Sequence, residues 1–145
     1  MDVKEVRVEE SRSVAELMVL LWPNHSVEGF TNDIEELIEK DDASIYVAFE
    51  GNELIGFSQV QLRNDYVEGT GSSPVGYLEG LFVKEAYRLQ GYAKELVKAA
   101  EHWAKQKGCS EFASDCELTN EKSLHTHLKL GFEEANRIIC FKKKL

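Results

Sequence analysis

VGYLEGLFVKEAYRLQGYAK, residues 75–94, decides the fold. Val75, Tyr77, Leu81 and Val83 share one parity, and Leu78 and Phe82 occupy the other. Apolar residues on both parities predict a strand covered on both faces. Lys84-Glu85-Ala86-Tyr87 and Arg88-Leu89-Gln90-Gly91-Tyr92-Ala93 then lead into a helix. Gly91 and Ala93 remove side-chain bulk where that helix begins. Unpaired N–H groups at a helix start carry partial positive charge and can hold a phosphate. Arg88 adds a full charge beside them. The stretch reads as a strand–loop–helix pyrophosphate site. The plainer reading is a helix start with a small residue for packing. Neither G-x-x-x-x-G-K-[ST] nor G-x-G-x-x-G occurs, so two other phosphate loops are excluded.

A chain of 145 residues predicts one domain, spanning 1–145. At this size a chain buries roughly 70% of its unfolded surface and needs no staples. Apolar runs are too short for a membrane span, and the charged start MDVKEVRVEE is not a signal peptide. Cys109, Cys116 and Cys140 are odd in number and lack C-x-x-C spacing, which fits free thiols in a reducing cytoplasm. His102, His125 and the cysteines lack the close ligand spacing of a structural zinc site, so no metal is expected. The net charge of −9 argues against nucleic acid or an anionic membrane as partner. It permits a cationic substrate, although ordinary solubility charge explains the same sign until carboxylates are found lining a site.

Outward from the central stretch, Val3, Val6 and Val8 suggest a short first strand. Ser11 or Ser13 is a candidate cap for a helix with Val14, Leu17, Met18 and Leu21 on one face. Trp22-Pro23 ends it. Phe30, Ile34, Leu37 and Ile38 mark a second helix. Residues 44–50 and 53–63 read as strands joined at Gly51-Asn52. A loop rich in Gly, Ser and Asn carries Tyr66. After the Gly91 helix, closed by Gly108, come a strand over 110–116, a helix capped by Thr119, and a strand from Phe132 through Phe141. A parallel β-α-β step is implied around the Gly91 helix.

The order β-α-α-β-β-β-α-β-α-β resembles the GNAT N-acetyltransferase fold, an α/β (α+β) mixed twisted sheet flanked by helices on both faces. Arg88-x-x-Gly91-x-Ala93 resembles that superfamily's R/Q-x-x-G-x-G/A turn. Asn120, Ser123 and His127-Leu128-Lys129-Leu130-Gly131-Phe132 are similar to its N-x-x-A-x-x-x-Y-x-x-x-G-F, with serine for alanine and histidine for tyrosine. Leu21-Trp22-Pro23, Asp65-Tyr66-Val67-Glu68-Gly69, Ser72 to Val75, Leu78-Glu79-Gly80, Ala113-Ser114-Asp115 and Gly131 to Glu134 look like the aminoglycoside 6′-N-acetyltransferases of Gram-negative bacteria. That resemblance implies acetyl transfer from acetyl-CoA to the 6′-amine of a polycationic drug, by a homodimer.

Amine acetylation needs a proton acceptor, a clamp for the carbonyl oxygen and a way to protonate the leaving thiolate. Asp115 ends a strand, where open α/β sheets place ligands, although a loop cap is the plainer role. Glu79 lies among apolar strand neighbours Tyr77 and Leu81, where a carboxylate needs a partner or water. An ion pair would account for it, as would a substrate ammonium. Either acid is a candidate base, Glu79 through water. Trp22 and Tyr66 are aromatic candidates for a sugar-and-cation pocket. His25 is a rim candidate, and Asn136 falls where the resemblance implies an acidic contact. For acetyl-CoA, the resemblance implies that the backbone of Leu81, Phe82 and Val83 pairs with the pantetheine arm. Arg88, Leu89, Gln90, Gly91, Tyr92, Ala93 and Lys94 would meet the pyrophosphate, and Asn120 would add a contact. His127 stands where a tyrosine acid is expected and suits either that role or helix packing. A polyamine acetyltransferase and a non-catalytic acetyl-CoA sensor are the competing readings.

Overall fold

The computed structural model describes residues 1–145. Five strands form one sheet in the order β1 to β5: Asp2–Glu5, Ala43–Glu50, Glu53–Arg63, Val75–Val83 and Phe112–Ser114. The first four pair antiparallel, and β5 runs parallel to β4. Helices α1 (Ser11–Leu21) and α2 (Val27–Ile38) precede β2; α3 (Tyr92–Gln106) connects β4 to β5, and α4 (Glu121–Lys129) follows β5. No helix is long and apolar enough to cross a membrane.

Alternation along the strands divides the core between two faces. Ile45, Val47 and Phe57 meet Val14, Leu17 and Met18 of α1 and Ile34 of α2. Ala48, Ile55 and Val83 meet Tyr92 and Leu96 at the start of α3, while Val60 and Leu78 meet Val97, Ala100 and Trp103 further along it. Sandwiching the sheet in this way yields the mixed, doubly covered architecture expected from the element order.

One irregularity resets β4. Gln59 pairs with Gly80, yet Val60 pairs with Leu78, so Glu79 is an extra residue in a bulge. An inserted residue reverses the side-chain parity beyond it. Before the bulge, Leu78 faces α3; after it, Leu81 does. Tyr77 instead joins Val67 and Val75. The expectation that Tyr77 and Leu81 flank Glu79 on one face is therefore corrected. Simple alternation cannot register an extra residue.

Three other expectations change. Neither Ser11 nor Ser13 caps α1: a 3-10 turn at Val8–Glu10 already leads into the helix, and the Ser11 hydroxyl donates to the Val8 carbonyl at 2.7 Å. Asn120 rather than Thr119 caps α4, its Oδ1 accepting the Ser123 N–H at 3.1 Å. Asparagine outranks threonine in that position. The segment from Phe132 onward is not a strand. Phe132 packs near Phe112, but Ile138, Ile139 and Phe141 are exposed. A strand needs a paired neighbour and a covered apolar face, and this segment pairs with none of the five.

Gly76 marks where α3 presses hardest on β4. A Cβ there would lie 2.6 Å from Ala104 Cβ and 2.9 Å from Phe112. Gly76→Ala is expected to destabilise the fold by about 1–3 kcal/mol through overpacking. A lowered urea midpoint with an unchanged m-value is the expected result.

Candidate active site

The turn after β4 is built to expose backbone donors. Leu89 and Gly91 both adopt left-handed conformations, at φ 62° and 91°. No protein acceptor takes the six successive N–H groups from Leu89 to Lys94. They surround the N-terminus of the fifteen-residue α3, where the peptide dipoles add positive potential. Arg88 does not project freely beside them; its Nε donates to the Val83 carbonyl at 2.8 Å, tying the turn to the end of β4. Tyr92, in the first turn of α3, donates to Glu50, and that bond pushes its phenol up to about 12.

β5 pairs with β4 only from Gly76 to Leu78. Beyond the bulge, the β4 backbone from Glu79 to Val83 has no parallel neighbour. An open strand edge therefore runs from the end of β5 toward the donor turn. Trp22 closes the α1 side of this opening. A Cβ on Gly80 would lie 2.6 Å from its indole, so only glycine lets the ring lie against the strand. Phe30 and Phe57 hold the indole from behind, and His25 stacks on Phe30 at 4.9 Å.

The bulge aims Glu79 at Arg63, the last residue of β3. Arg63 Nη2 donates to both carboxylate oxygens, at 2.8 and 3.1 Å, and Nε donates to Oε1 at 3.1 Å. The same guanidinium lies over the Tyr77 ring, 3.4 Å from its centroid. The Tyr77 hydroxyl donates to Asp115, which stands one residue beyond β5. Two side chains not anticipated from the sequence thus link the two predicted carboxylates. Their signal was weak: an arginine at a strand end and a tyrosine on an apolar strand become informative only through register.

Asp115 opens onto a cavity of about 720 Å³ between the 64–74 loop, β5, α4 and the C-terminal segment. Glu68, Glu101, Glu111, Asp115, Glu117, Glu133 and Glu134 line it, against Arg63 and Arg137. This excess of acid over base makes the chain's negative charge informative about the site. Tyr66, largely exposed, and Asn136 also line it. Asn136 Nδ2 donates to Glu68 at 2.9 Å. Trp22, His25 and Glu79 lie outside this cavity, on the α1 side. His127 is held at both nitrogens: Nδ1 faces the Ser123 carbonyl at 2.7 Å and Nε2 faces the Ser114 hydroxyl at 2.9 Å. A carbonyl only accepts, so Nδ1 carries the proton. Asn120 spends its side-chain oxygen on the α4 cap.

The model of the acetyltransferase (GNAT) family matches residues 13–132. This chain belongs to the GNAT family. It is 38% identical over 144 residues to an aminoglycoside N(6′)-acetyltransferase type 1 of Salmonella enteritidis, covering 99% of both chains. A Klebsiella aerogenes relative of the same name is 39% identical over 148 residues, covering 99% of this chain and 96% of its own. Among solved structures, AAC(6′)-Iy in complex with a bisubstrate analogue, CoA-S-monomethyl-acetylneamine, superposes with a TM-score of 0.94 at 37% identity, covering 99% of this chain and 98% of that one. The apo AAC(6′)-IG of Acinetobacter haemolyticus gives 0.94 at 36% identity, covering 100% and 99%. In this GNAT member, the open β4 edge, the donor turn and the acidic cavity converge where β4 and β5 part.

Burial, then the hydrogen bond to Asp115, pushes the Tyr77 phenol well above its usual 10.0. The folded state thus favours the protonated ring. That stabilisation is fully present below the unfolded value and is lost only as pH rises through the raised one. In an ultraviolet titration of phenolate, Tyr77→Phe is expected to remove the last-ionising step and leave the earlier ones. Loss of an early step instead would place the Tyr77 hydroxyl in water.

Proposed function

We propose that this chain transfers the acetyl group of acetyl-CoA to the 6′-amine of aminoglycosides. The observation that carries the reading is the meeting of an acidic cavity, opened by Asp115, with a free strand edge and an array of unpaired N–H donors. The named relatives, similar along the whole chain, supply the acceptor class.

The donor half follows from the backbone. Six unpaired N–H groups at the start of α3 suit the pyrophosphate, and Gly91 keeps the approach clear. Leu81, Phe82 and Val83 offer an edge to the amide groups of the pantetheine arm, as an added strand would, with the Val83 carbonyl already accepting from Arg88 Nε. The thioester then comes to lie near the bulge, between Glu79 and Asp115.

The acceptor half is electrostatic. Seven carboxylates around the cavity attract a polycation, and Tyr66 and Trp22 offer aromatic faces to sugar C–H groups and ammonium ions. His25 is a rim contact through its stacking on Phe30. Asn136 supplies an amide but no charge. An ammonium must lose a proton before it attacks the thioester. Asp115, with one oxygen held by Tyr77 and open to the cavity, accepts that proton, while Glu79 anchors a neighbouring ammonium; the new C–N bond replaces the thioester C–S bond, and the CoA thiolate departs to take its proton from solvent. His127 braces α4 against β5, since both its nitrogens are engaged within the protein. We read the enzyme as a single-domain cytoplasmic homodimer. Its exposed Ile138, Ile139 and Phe141 offer apolar surface for that association, and its three cysteines are unpaired.

A thiol-release assay with kanamycin, spermidine and no acceptor tests the reading. Kanamycin turnover with acetyl on the 6′-nitrogen by NMR is expected; turnover of spermidine alone would favour a polyamine enzyme. Asp115→Asn keeps shape but removes basicity, so kcat at saturating drug should fall by at least about 10²-fold. A change confined to KM would move the base to Glu79. Gly91→Val is expected to cost about 1–2 kcal/mol of stability, because a left-handed backbone disfavours a Cβ. It should also weaken CoA binding in calorimetry by at least about tenfold, as donor access is lost. Unchanged CoA affinity would remove the turn from the donor site.

A further inference from the structure

We propose that Arg63 is an internal stand-in for the acceptor's ammonium, and that a cationic acceptor binds by displacing it from Glu79. The inference rests on the proposed acetyl acceptor being an amine. Its starting point is that one proposed ammonium anchor is already bonded to a cation. Arg63 donates three hydrogen bonds to Glu79. A carboxylate has about four acceptor positions, so little capacity remains for a second donor. The stacking of the guanidinium on Tyr77, at 3.4 Å, keeps this charge directly beside the residue that holds Asp115.

The pair is poised for exchange rather than locked. The Arg63 side chain is 39% exposed and that of Glu79 is 21% exposed. A pair so open to water competes weakly against a well-placed rival. A buried pair with no other partners would resist exchange, because its separation would strand a charge. Arg63 has somewhere to go: it already lines the acidic cavity, where Glu68 and Glu111 also stand. An incoming ammonium can therefore take Glu79 while the guanidinium turns toward the other carboxylates.

This exchange sets a threshold. The exchange weakens every acceptor that takes Glu79 by the same factor, the cost of separating the Arg63–Glu79 pair. A neutral hydroxyl cannot make the exchange at all, so Arg63 specifies against neutral groups at this place and for cationic ones.

The test compares wild type with Arg63→Met, which keeps an apolar stem over Tyr77 but removes the charge. Acceptor Kd is read by calorimetry, and KM and kcat by thiol release, for kanamycin, spermidine and a monoamine, cyclohexylamine. Kanamycin Kd and KM are expected to fall by about threefold to tenfold, the scale of an exposed-to-half-buried ion pair. The fall should be of the same order for the monoamine, and the change should lie in KM rather than kcat. In a Glu79→Gln background the same substitution should have no such effect, because there is no charge left to contest. Weaker or unchanged acceptor binding in Arg63→Met would overturn the proposal and make Arg63 a prop for Glu79. Should Arg63→Met fail to fold, Arg63→Lys decides. Losing the planar fork should still tighten acceptor binding by about twofold, and no tightening would overturn it. A wild type that binds spermidine but no aminoglycoside would sink the drug assignment alone, with the Arg63 effect still read on spermidine.

Discussion

A single extra residue in β4 governs the site. With Gln59 paired to Gly80 and Val60 to Leu78, Glu79 has no partner on β3. The parity of the strand reverses there, so Gly76 and Leu78 face α3 above the bulge while Gly80 faces Trp22 below it. The same insertion turns Glu79 toward Arg63 rather than into the core. A carboxylate in an apolar strand would otherwise be costly; here the bulge brings it to a partner and to partial solvent.

The second constraint is the brevity of β5. Three residues of parallel pairing hold the strand against β4, and then the two part. Asp115 stands at that parting, and the β4 edge beyond it stays unpaired up to the turn at Arg88–Lys94. The donor turn exists because Leu89 and Gly91 take left-handed conformations that leave successive N–H groups without protein acceptors. Sheet geometry and helix electrostatics thus meet at one place, with α3 fixed by Leu96, Val97, Ala100 and Trp103.

Charge is distributed by element. The 64–74 loop, α3, the segments on either side of β5 and the C-terminal segment contribute the carboxylates of the cavity, while the two arginines there are each bonded to a glutamate: Arg63 to Glu79 and Arg137 to Glu134. A cavity of this kind favours a multiply charged cation over a neutral sugar. Tyr77 connects the two halves, since its ring carries Arg63 and its hydroxyl holds Asp115.

The sequence by itself determined the element order as far as α4, the parallel step and the glycine turn at the start of α3, because these rest on local signals. Apolar parity marked β4, helical spacing marked α3, and Gly91 with Ala93 marked the turn. It also singled out Glu79, as a carboxylate among apolar strand neighbours, and Asp115, as a carboxylate at a strand end. Only the tertiary structure decided what those residues touch. The bulge, the Arg63–Glu79 pair and the Tyr77–Asp115 bond all depend on register between strands distant in sequence. Periodicity within one strand carries no information about its neighbour's register. The C-terminal segment carries the same lesson in reverse. Residues 132–141 have the composition of a strand, yet Ile138, Ile139 and Phe141 stay exposed, because a strand is defined by a partner and not by its own sequence.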